Sequence, residues 1–104
     1  MPIFLLISRH SPENCPMFNE KAKKVFLEYS SKIPAIMKKY GGKMLGVYGV
    51  HTEHLTVSII EAPSLEAFQK ASMEPEILAL NEYESYEVKL AYSGEDAMKM
   101  LKAK

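Results

Sequence analysis

The sequence predicts an α+β fold in which four strands form an antiparallel sheet and helices pack on one face of it. Three observations predict this class. Short apolar runs alternate with amphipathic helical patterns in the order β-α-β-β-α-β, a further helical segment follows, and no repeat, linker or low-complexity stretch interrupts the 104 residues. We therefore expect a single domain spanning residues 1–104.

The first half of the chain predicts a strand, a loop and a broken helix. Ile3 to Arg9 is an apolar run of strand length, and the two prolines between Ser11 and Pro16 favour a loop. From Met17 to Tyr40, apolar residues recur at three- and four-residue steps, which indicates a helix. Because Pro34 lacks the N–H that a helix interior needs, we expect a kink or break near Ser30 to Lys32.

The second half predicts a hairpin, a helical region, a last strand and a terminal helix. Lys43 to Val50 and Leu55 to Ala62 have strand patterns, and the short connection between them fits a hairpin. Ser64 is positioned as the N-cap of the helix that follows. The remaining predicted elements are a helix over Leu65 to Ser72, a further turn over Glu76 to Leu80, a strand within Glu82 to Tyr92 and a helix opened by Ser93 and Gly94.

This element order is the split β-α-β, or ferredoxin-like, unit, in which one sheet face is left without helices. Alternation along the strands assigns residues to faces, and pairing Val50 with Leu55 sets the hairpin register. We expect the helices to cover the more apolar set, which is Ile3, Leu5, Ile7, Leu55, Val57, Ile59, Tyr86, Val88, Leu90 and Tyr92. The open face then holds Phe4, Leu6, Ser8, His10, Leu45, Val47, Gly49, His51, His54, Thr56, Ser58, Ile60, Ser85, Glu87 and Lys89.

Charge and cysteine content exclude several classes of protein. The 13 basic residues balance the 13 acidic residues, whereas nucleic-acid binders usually carry a basic excess. A balanced charge also does not oppose self-association. A lone cysteine, Cys15, favours a reducing compartment, and no apolar run is long enough to span a bilayer, so we expect a cytoplasmic protein that binds neither nucleic acid nor membrane.

The element order and the semi-apolar open face resemble the dimeric α/β-barrel superfamily, in which two ferredoxin-like subunits pack sheet to sheet. The resemblance covers the chain from Ile3 to Tyr92. It implies a homodimer or higher homo-oligomer with a small-molecule pocket inside the barrel or between sheet and helices. That group includes small monooxygenases, lactone isomerases and haem-binding barrels. No residue motif in this sequence matches the active site of a particular member. The resemblance therefore leaves the cofactor unknown and several classes of function open.

The polar loop after the first strand supplies the first candidate site. His10 is positioned to act as a general base, and Glu87 could orient its ring. This expectation assumes that the first and third strands are parallel neighbours. His10 would then lie near Glu61 and the start of the fourth strand, where Glu84, Ser85 or Glu87 could come within reach. Substrate contacts are expected from Ser8, Cys15, Thr56 and Ser58, and the compatible reactions are cofactor-independent oxygenation, isomerisation or elimination. The alternative is a loop that only shapes a turn and caps a helix.

The hairpin turn supplies a second candidate, a metal site at His51 and His54 with an oxygen from Glu53. A metal- or haem-binding barrel could equally use His10 and Cys15. We expect about 25 Å between His10 and the hairpin, at about 3.3 Å per strand residue, so that only a partner subunit would unite these groups. The remaining alternatives are an exposed polar turn and a non-catalytic ligand-binding or assembly module.

Overall fold

A computed structural model describes the whole chain from Met1 to Lys104. Its four strands form one sheet in the order β2-β3-β1-β4, and every neighbouring pair is antiparallel. The predicted α+β, ferredoxin-like fold is thereby confirmed. The strands are β1 (Ile3–Arg9), β2 (Lys43–Val50), β3 (Leu55–Glu61) and β4 (Ser85–Ala91).

The chain forms five α-helices, and the sequence pattern explains where they start and break. The predicted break before Pro34 is present as a 3-10 turn over Ser30–Lys32, with Pro34 in the first turn of the next helix. Ser64 and Ser93 cap their helices by accepting hydrogen bonds from backbone N–H groups three residues later. The helices are α1 (Glu20–Tyr29), α2 (Ile33–Lys39), α3 (Leu65–Ser72), α4 (Pro75–Asn81) and α5 (Gly94–Lys102), and none is long and apolar enough to cross a bilayer.

The direction of β3 corrects the expected neighbourhood of His10. β1 and β3 are antiparallel, with Ile3 opposite Glu61 and Arg9 opposite Leu55. The expectation of parallel strands was wrong because β2 runs parallel to β1 after the helical crossover, so the hairpin returns β3 in the opposite direction. The end of β1 therefore lies beside the β2–β3 hairpin and far from Glu61.

The helices cover the face that the sequence analysis left open. Phe4, Ser8, Ser58 and Ile60 are buried, each at 7% exposure or less. Since strand residues alternate between faces, the opposite face carries Ile3, Leu5, Ile7, Val57 and Ile59. The assignment was wrong for β1 and β3, and also for Val47 and Gly49 on β2, which pair with Ser58 and Thr56 on the covered face. Both faces of β1 and β3 are apolar, and counting apolar residues does not distinguish them. On β4 it was right, since Val88 packs against the core and Tyr86 lies on the same face.

The hairpin register agrees with prediction except at one bulge. Val50 pairs with Leu55 and Tyr48 with Val57, as the short connection predicts. A register shift between Met44 and Gly46 then places Met44, and not Leu45, opposite Ile60. The bulge points the Met44 side chain toward the core, where it packs partly buried.

The core occupies one end of the covered face. Phe4 and Ile60 lie at its centre, and the ring of Phe4 lies 5.4 Å from that of Phe68 on α3. Toward the other end of β1 and β3 the covered face becomes polar, because Ser8 pairs with Thr56 and Leu6 with Ser58. Small hydroxyl side chains fill less space than the aromatic and branched residues at the core end, so room remains beneath the helices.

Candidate functional site

The polar end of the covered face lines a cavity of about 320 Å³ between the sheet and helices α1, α2 and α4. This volume is at the small end of the range for ligand pockets, about 300–1,000 Å³. Its wall is mainly apolar. Its hydroxyl groups come from the sheet residues Ser8, Thr56, Ser58 and Tyr86, from Ser30 in the 3-10 turn and from Ser72 at the end of α3. The three predicted substrate-binding hydroxyl residues of the sheet thus lie together, on the opposite face from the one expected.

Glu84 contributes the only charged side chain to the wall of this cavity. It precedes β4 by one residue and is half-buried. Burial raises the pKa of its carboxyl from 4.5 to about 7, and no neighbouring cation offsets the loss of hydration. A carboxyl group with a pKa near neutrality can both accept and return a proton at physiological pH.

A second group of chemically reactive side chains lies beside the cavity, at the end of β1. Nε2 of His10 and Nδ1 of His54 are 3.3 Å apart, and Cys15 Sγ lies with them so that the three donor atoms are all within 4.8 Å of one another. We call these three residues the His–Cys cluster. The expected separation of about 25 Å was wrong because β3 runs antiparallel to β1, which brings the hairpin to His10.

Backbone geometry fixes the members of the His–Cys cluster in place. The His10 N–H donates to the His54 carbonyl at 3.1 Å and so extends the β1–β3 ladder by one step. His54 ends the 3-10 turn at residues 51–53 with φ of 52°, a left-handed conformation that is uncommon for residues other than glycine. Cys15 follows the turn at Pro12–Asn14 and is 3% exposed, with its carbonyl accepting hydrogen bonds from the next turn of chain.

Burial also affects the protonation of His10. It lowers the pKa of His10 below 6.5, and the positive charge that His54 can carry lowers it further. The ring of Phe26 on α1 packs edge-on against His10, with centroids 6.4 Å apart, and Phe26 also lines the cavity. Phe26 and Thr56 therefore lie between the two sites.

Three residues of the predicted sites, Glu87, His51 and Glu53, lie outside these groups, and Glu53 is exposed. Glu87 does not pair with His10, because it lies on the helix-free face, where its carboxylate accepts a hydrogen bond from Arg9 and lies close to Lys89. His51 is exposed and lines the depression beside the His–Cys cluster, but it is not among the three clustered donors. The structure thus joins His54 to His10 and Cys15 in place of joining it to His51.

Glu84 was considered in the sequence only as a neighbour of His10. The register offers a signal that could have located it, because Ser8 pairs with Tyr86, so residue 84 falls two positions further along the same covered face. This register locates Glu84 in the cavity only if the helices are already known to cover the face that carries Ser8. Its shifted pKa depends on burial, which the local sequence does not encode.

Comparison with known proteins supports the fold. No protein-family model matches the sequence, and no curated protein matches it. Among solved structures, an antibiotic biosynthesis monooxygenase is 14% identical over 89% of this chain and 98% of its own, with a TM-score of 0.58. A protein from Agrobacterium tumefaciens is 17% identical over 90% and 94%, with a TM-score of 0.60. SnoaB, a cofactor-independent oxygenase from Streptomyces nogalater, is 16% identical over 89% and 94%, with a TM-score of 0.52. These solved structures share the α+β, ferredoxin-like fold that the sequence predicts, and the likeness is one of fold.

Proposed function

We propose that this chain binds a hydrophobic small molecule in the cavity and is an enzyme that begins its reaction by removing a proton from that molecule. The observation that carries the proposal is the carboxyl of Glu84, with a pKa of about 7, at the wall of an otherwise uncharged cavity. Perturbed carboxyl groups in apolar pockets are characteristic of acid–base sites. Among the reactions compatible with such a step, cofactor-independent oxygenation is favoured, since SnoaB has the same fold and is an oxygenase of that kind.

The substrate class follows from the wall of the cavity. An apolar aromatic or alicyclic body fits the side chains around Ile33, Met37 and Ile77, and an oxygen atom of the ligand would face the hydroxyls of Ser8 and Ser58. The carboxylate of Glu84 would take a proton from a phenol or from a carbon next to a carbonyl, leaving the electron pair on the substrate. That anion can react with dioxygen, regain the proton at another carbon in an isomerisation, or expel a neighbouring leaving group.

Glu84 takes over the catalytic role that the sequence assigned to His10. His10 does not line the cavity, and its ring faces His54, Phe26 and the depression that holds Cys15. No histidine lines the cavity at all, so the haem-binding alternative lacks an imidazole there. We assign the acid–base step to Glu84, and substrate contacts to Ser8, Thr56 and Ser58.

The experiment is a comparison of Glu84→Gln with the wild type, using a panel of hydrophobic phenols and 1,3-diketones. Binding is measured by thermal shift, removal of the carbon-bound proton of the 1,3-diketones by its exchange with deuterium in NMR spectra, and oxygenation of the phenols with an oxygen electrode. We expect Glu84→Gln to retain binding and to lose about 10²- to 10⁴-fold in the rate of proton removal. Glu82→Gln, at an exposed position two residues earlier, is the matched control and should keep the wild-type rate. An unchanged rate in Glu84→Gln, or no ligand for the wild type, contradicts the proposal.

We also propose that two copies pair through the helix-free face of the sheet. Its centre is apolar, with Leu5, Ile7, Val57 and Ile59 side by side, and its rim carries both signs of charge at Arg9, Glu87 and Lys89. A continuous apolar sheet face is unusual for a monomer. The chain's zero net charge adds no repulsion between copies.

Light scattering tests the dimer. The wild type should have twice the chain mass of 11.8 kDa at micromolar concentration, and Val57→Lys, which places a charge at the centre of the face, should have the mass of one chain. Leu27→Lys is the matched control, since Leu27 is an exposed apolar residue on α1 and away from the sheet. A wild type that is monomeric, or a Val57→Lys variant that stays dimeric, contradicts this interface.

A further inference from the structure

We propose that the His–Cys cluster binds one thiophilic d10 metal ion, Zn²⁺ or Cu⁺, through His10, Cys15 and His54. This site is separate from the cavity and does not depend on the function proposed for it. Two imidazole nitrogens and one thiolate are donors that both ions favour, and three protein ligands leave one coordination position open. The cluster contains no carboxylate oxygen, so its donor set does not suit Mg²⁺ or Ca²⁺.

The distances within the cluster match this coordination. Two nitrogens that each lie about 2.05 Å from a tetrahedral zinc ion are about 3.3 Å apart. Nε2 of His10 and Nδ1 of His54 are separated by 3.3 Å. A nitrogen and a thiolate on the same ion are about 3.6 Å apart. Cys15 Sγ lies within 4.8 Å of a ring nitrogen of each histidine, so the movement it needs is at most about 1.2 Å.

The donors belong to parts of the chain that the fold holds rigidly. His10 and His54 are joined by a backbone hydrogen bond across β1 and β3, and their rings meet edge to face at 5.2 Å. Cys15 is buried beside them at the entry to α1, so its thiol is available to the cluster and shielded from bulk solvent. A hydrogen bond between the two imidazoles accounts for their 3.3 Å separation, but it leaves the adjacent thiol without a role.

Accessibility and charge are also consistent with an ion. A shallow depression lined by all three donors opens to solvent, which gives an ion a route of entry. The imidazoles bind as neutral groups, and the thiol gives its proton to solvent when the metal–sulfur bond forms. The thioether of Met17 borders the same depression and is a soft donor that suits Cu⁺ at the open position.

The test uses the full chain, stripped of metal with a chelator and kept reduced. Co²⁺ serves as the spectroscopic probe, because a cobalt–thiolate bond gives a charge-transfer band in the near ultraviolet. We expect this band to saturate at one Co²⁺ per chain and to disappear when Zn²⁺ is added. Competition with chromophoric chelators then gives the affinities for Zn²⁺ and for Cu⁺ separately.

Variants assign the site to its residues. Cys15→Ser should abolish the band, and His54→Asn, which keeps a residue type that tolerates the left-handed conformation, should lower Zn²⁺ affinity by about 100-fold. His51→Gln is the matched control, because His51 borders the depression without belonging to the cluster, and it should keep the wild-type affinity. Circular dichroism checks that each variant is folded. A wild type without the band, a band that survives in Cys15→Ser, or equal losses in His51→Gln and His54→Asn would overturn the proposal.

Discussion

The cavity and the His–Cys cluster lie side by side on the same pair of strands, but they are built on opposite principles. The cavity lies between the sheet and the helices and is mainly apolar, and it holds one ionisable carboxyl, Glu84, with no charged partner. The cluster is shallow and brings together three donors from three separate parts of the chain. In the cavity, chemistry depends on isolation of a single group, whereas in the cluster it depends on convergence of several.

Burial has a common effect in both regions and a different consequence. It favours the neutral form of each group, so the pKa of Glu84 rises and that of His10 falls. For Glu84 the neutral form is a proton donor poised near physiological pH. For His10 the neutral form has a free nitrogen lone pair, which is the state that ligates a metal. The same desolvation therefore prepares one region for proton transfer and the other for coordination.

The largest effect that should distinguish the cavity from the cluster is the dependence of stability on pH. Glu84 titrates near 4.5 when the chain is unfolded and near 7 when it is folded. Between these values the folded state binds more protons than the unfolded state, so its stability falls as pH rises and levels off above about pH 7. Glu84→Gln removes this loss, which amounts to about 3 kcal/mol at most.

Urea denaturation of both proteins, in steps from about pH 5 to about pH 8, measures this difference in the free energy of unfolding. Tyr86 is the other titratable side chain that lines the cavity, and it is unchanged in the comparison. Glu82→Gln should follow the wild type at every pH. If the stability of Glu84→Gln has the same pH dependence as that of the wild type, the Glu84 carboxyl does not have the raised pKa that its burial in the cavity predicts.

Filling the cavity should separate the two regions in binding. Ser58→Leu extends an apolar side chain into the empty volume, so we expect ligand affinity to fall about 100-fold without loss of Co²⁺ binding. Isothermal calorimetry with a ligand from the phenol panel and a Co²⁺ titration measure the two sites in one preparation. Val57→Leu, the adjacent residue on the opposite face, is the control and should change neither. A parallel loss at both sites would show that they are one site.

Phe26→Ala is the change expected to affect both regions together. Its ring lines the cavity and packs against His10, and it is half-buried, so truncation should lower the free energy of unfolding by about 2 kcal/mol. Both ligand and metal affinities should weaken by about tenfold. Phe18→Ala, at a position 78% exposed, should lower stability by less than about 0.5 kcal/mol. Loss at only one site in Phe26→Ala would remove Phe26 as the shared wall.

The smallest expected effect concerns the strained backbone of the cluster. Glycine adopts the left-handed conformation of residue 54 freely, so His54→Gly should stabilise the metal-free protein by about 1 kcal/mol while it abolishes the third ligand. His51→Gly, in the 3-10 turn, has no such strain to relieve and should be neutral or destabilising. Thermal unfolding in chelator measures both. A destabilised His54→Gly variant would show that the imidazole is held for stability and not for ligation.

Much of this fold follows from local sequence. The helices and the break before Pro34 were predicted from helical spacing, prolines and serine caps, and the strands from short apolar runs. The short connection predicted the pairing of Val50 with Leu55. The cavity-lining hydroxyls Ser8, Thr56 and Ser58 could be grouped because strand residues two apart share a face. These features depend on residues within a few positions of one another, and the conformational preferences of those residues follow from their types.

The sequence by itself determined the secondary structure, the α+β class and which residues share a strand face. Only the tertiary structure decided which face the helices cover, because both faces of β1 and β3 are apolar and local patterning does not choose between them. It also decided that β3 returns antiparallel to β1, which places His54 beside His10 and Cys15. The pKa of Glu84 belongs to the same category, since it is set by burial among side chains distant in sequence.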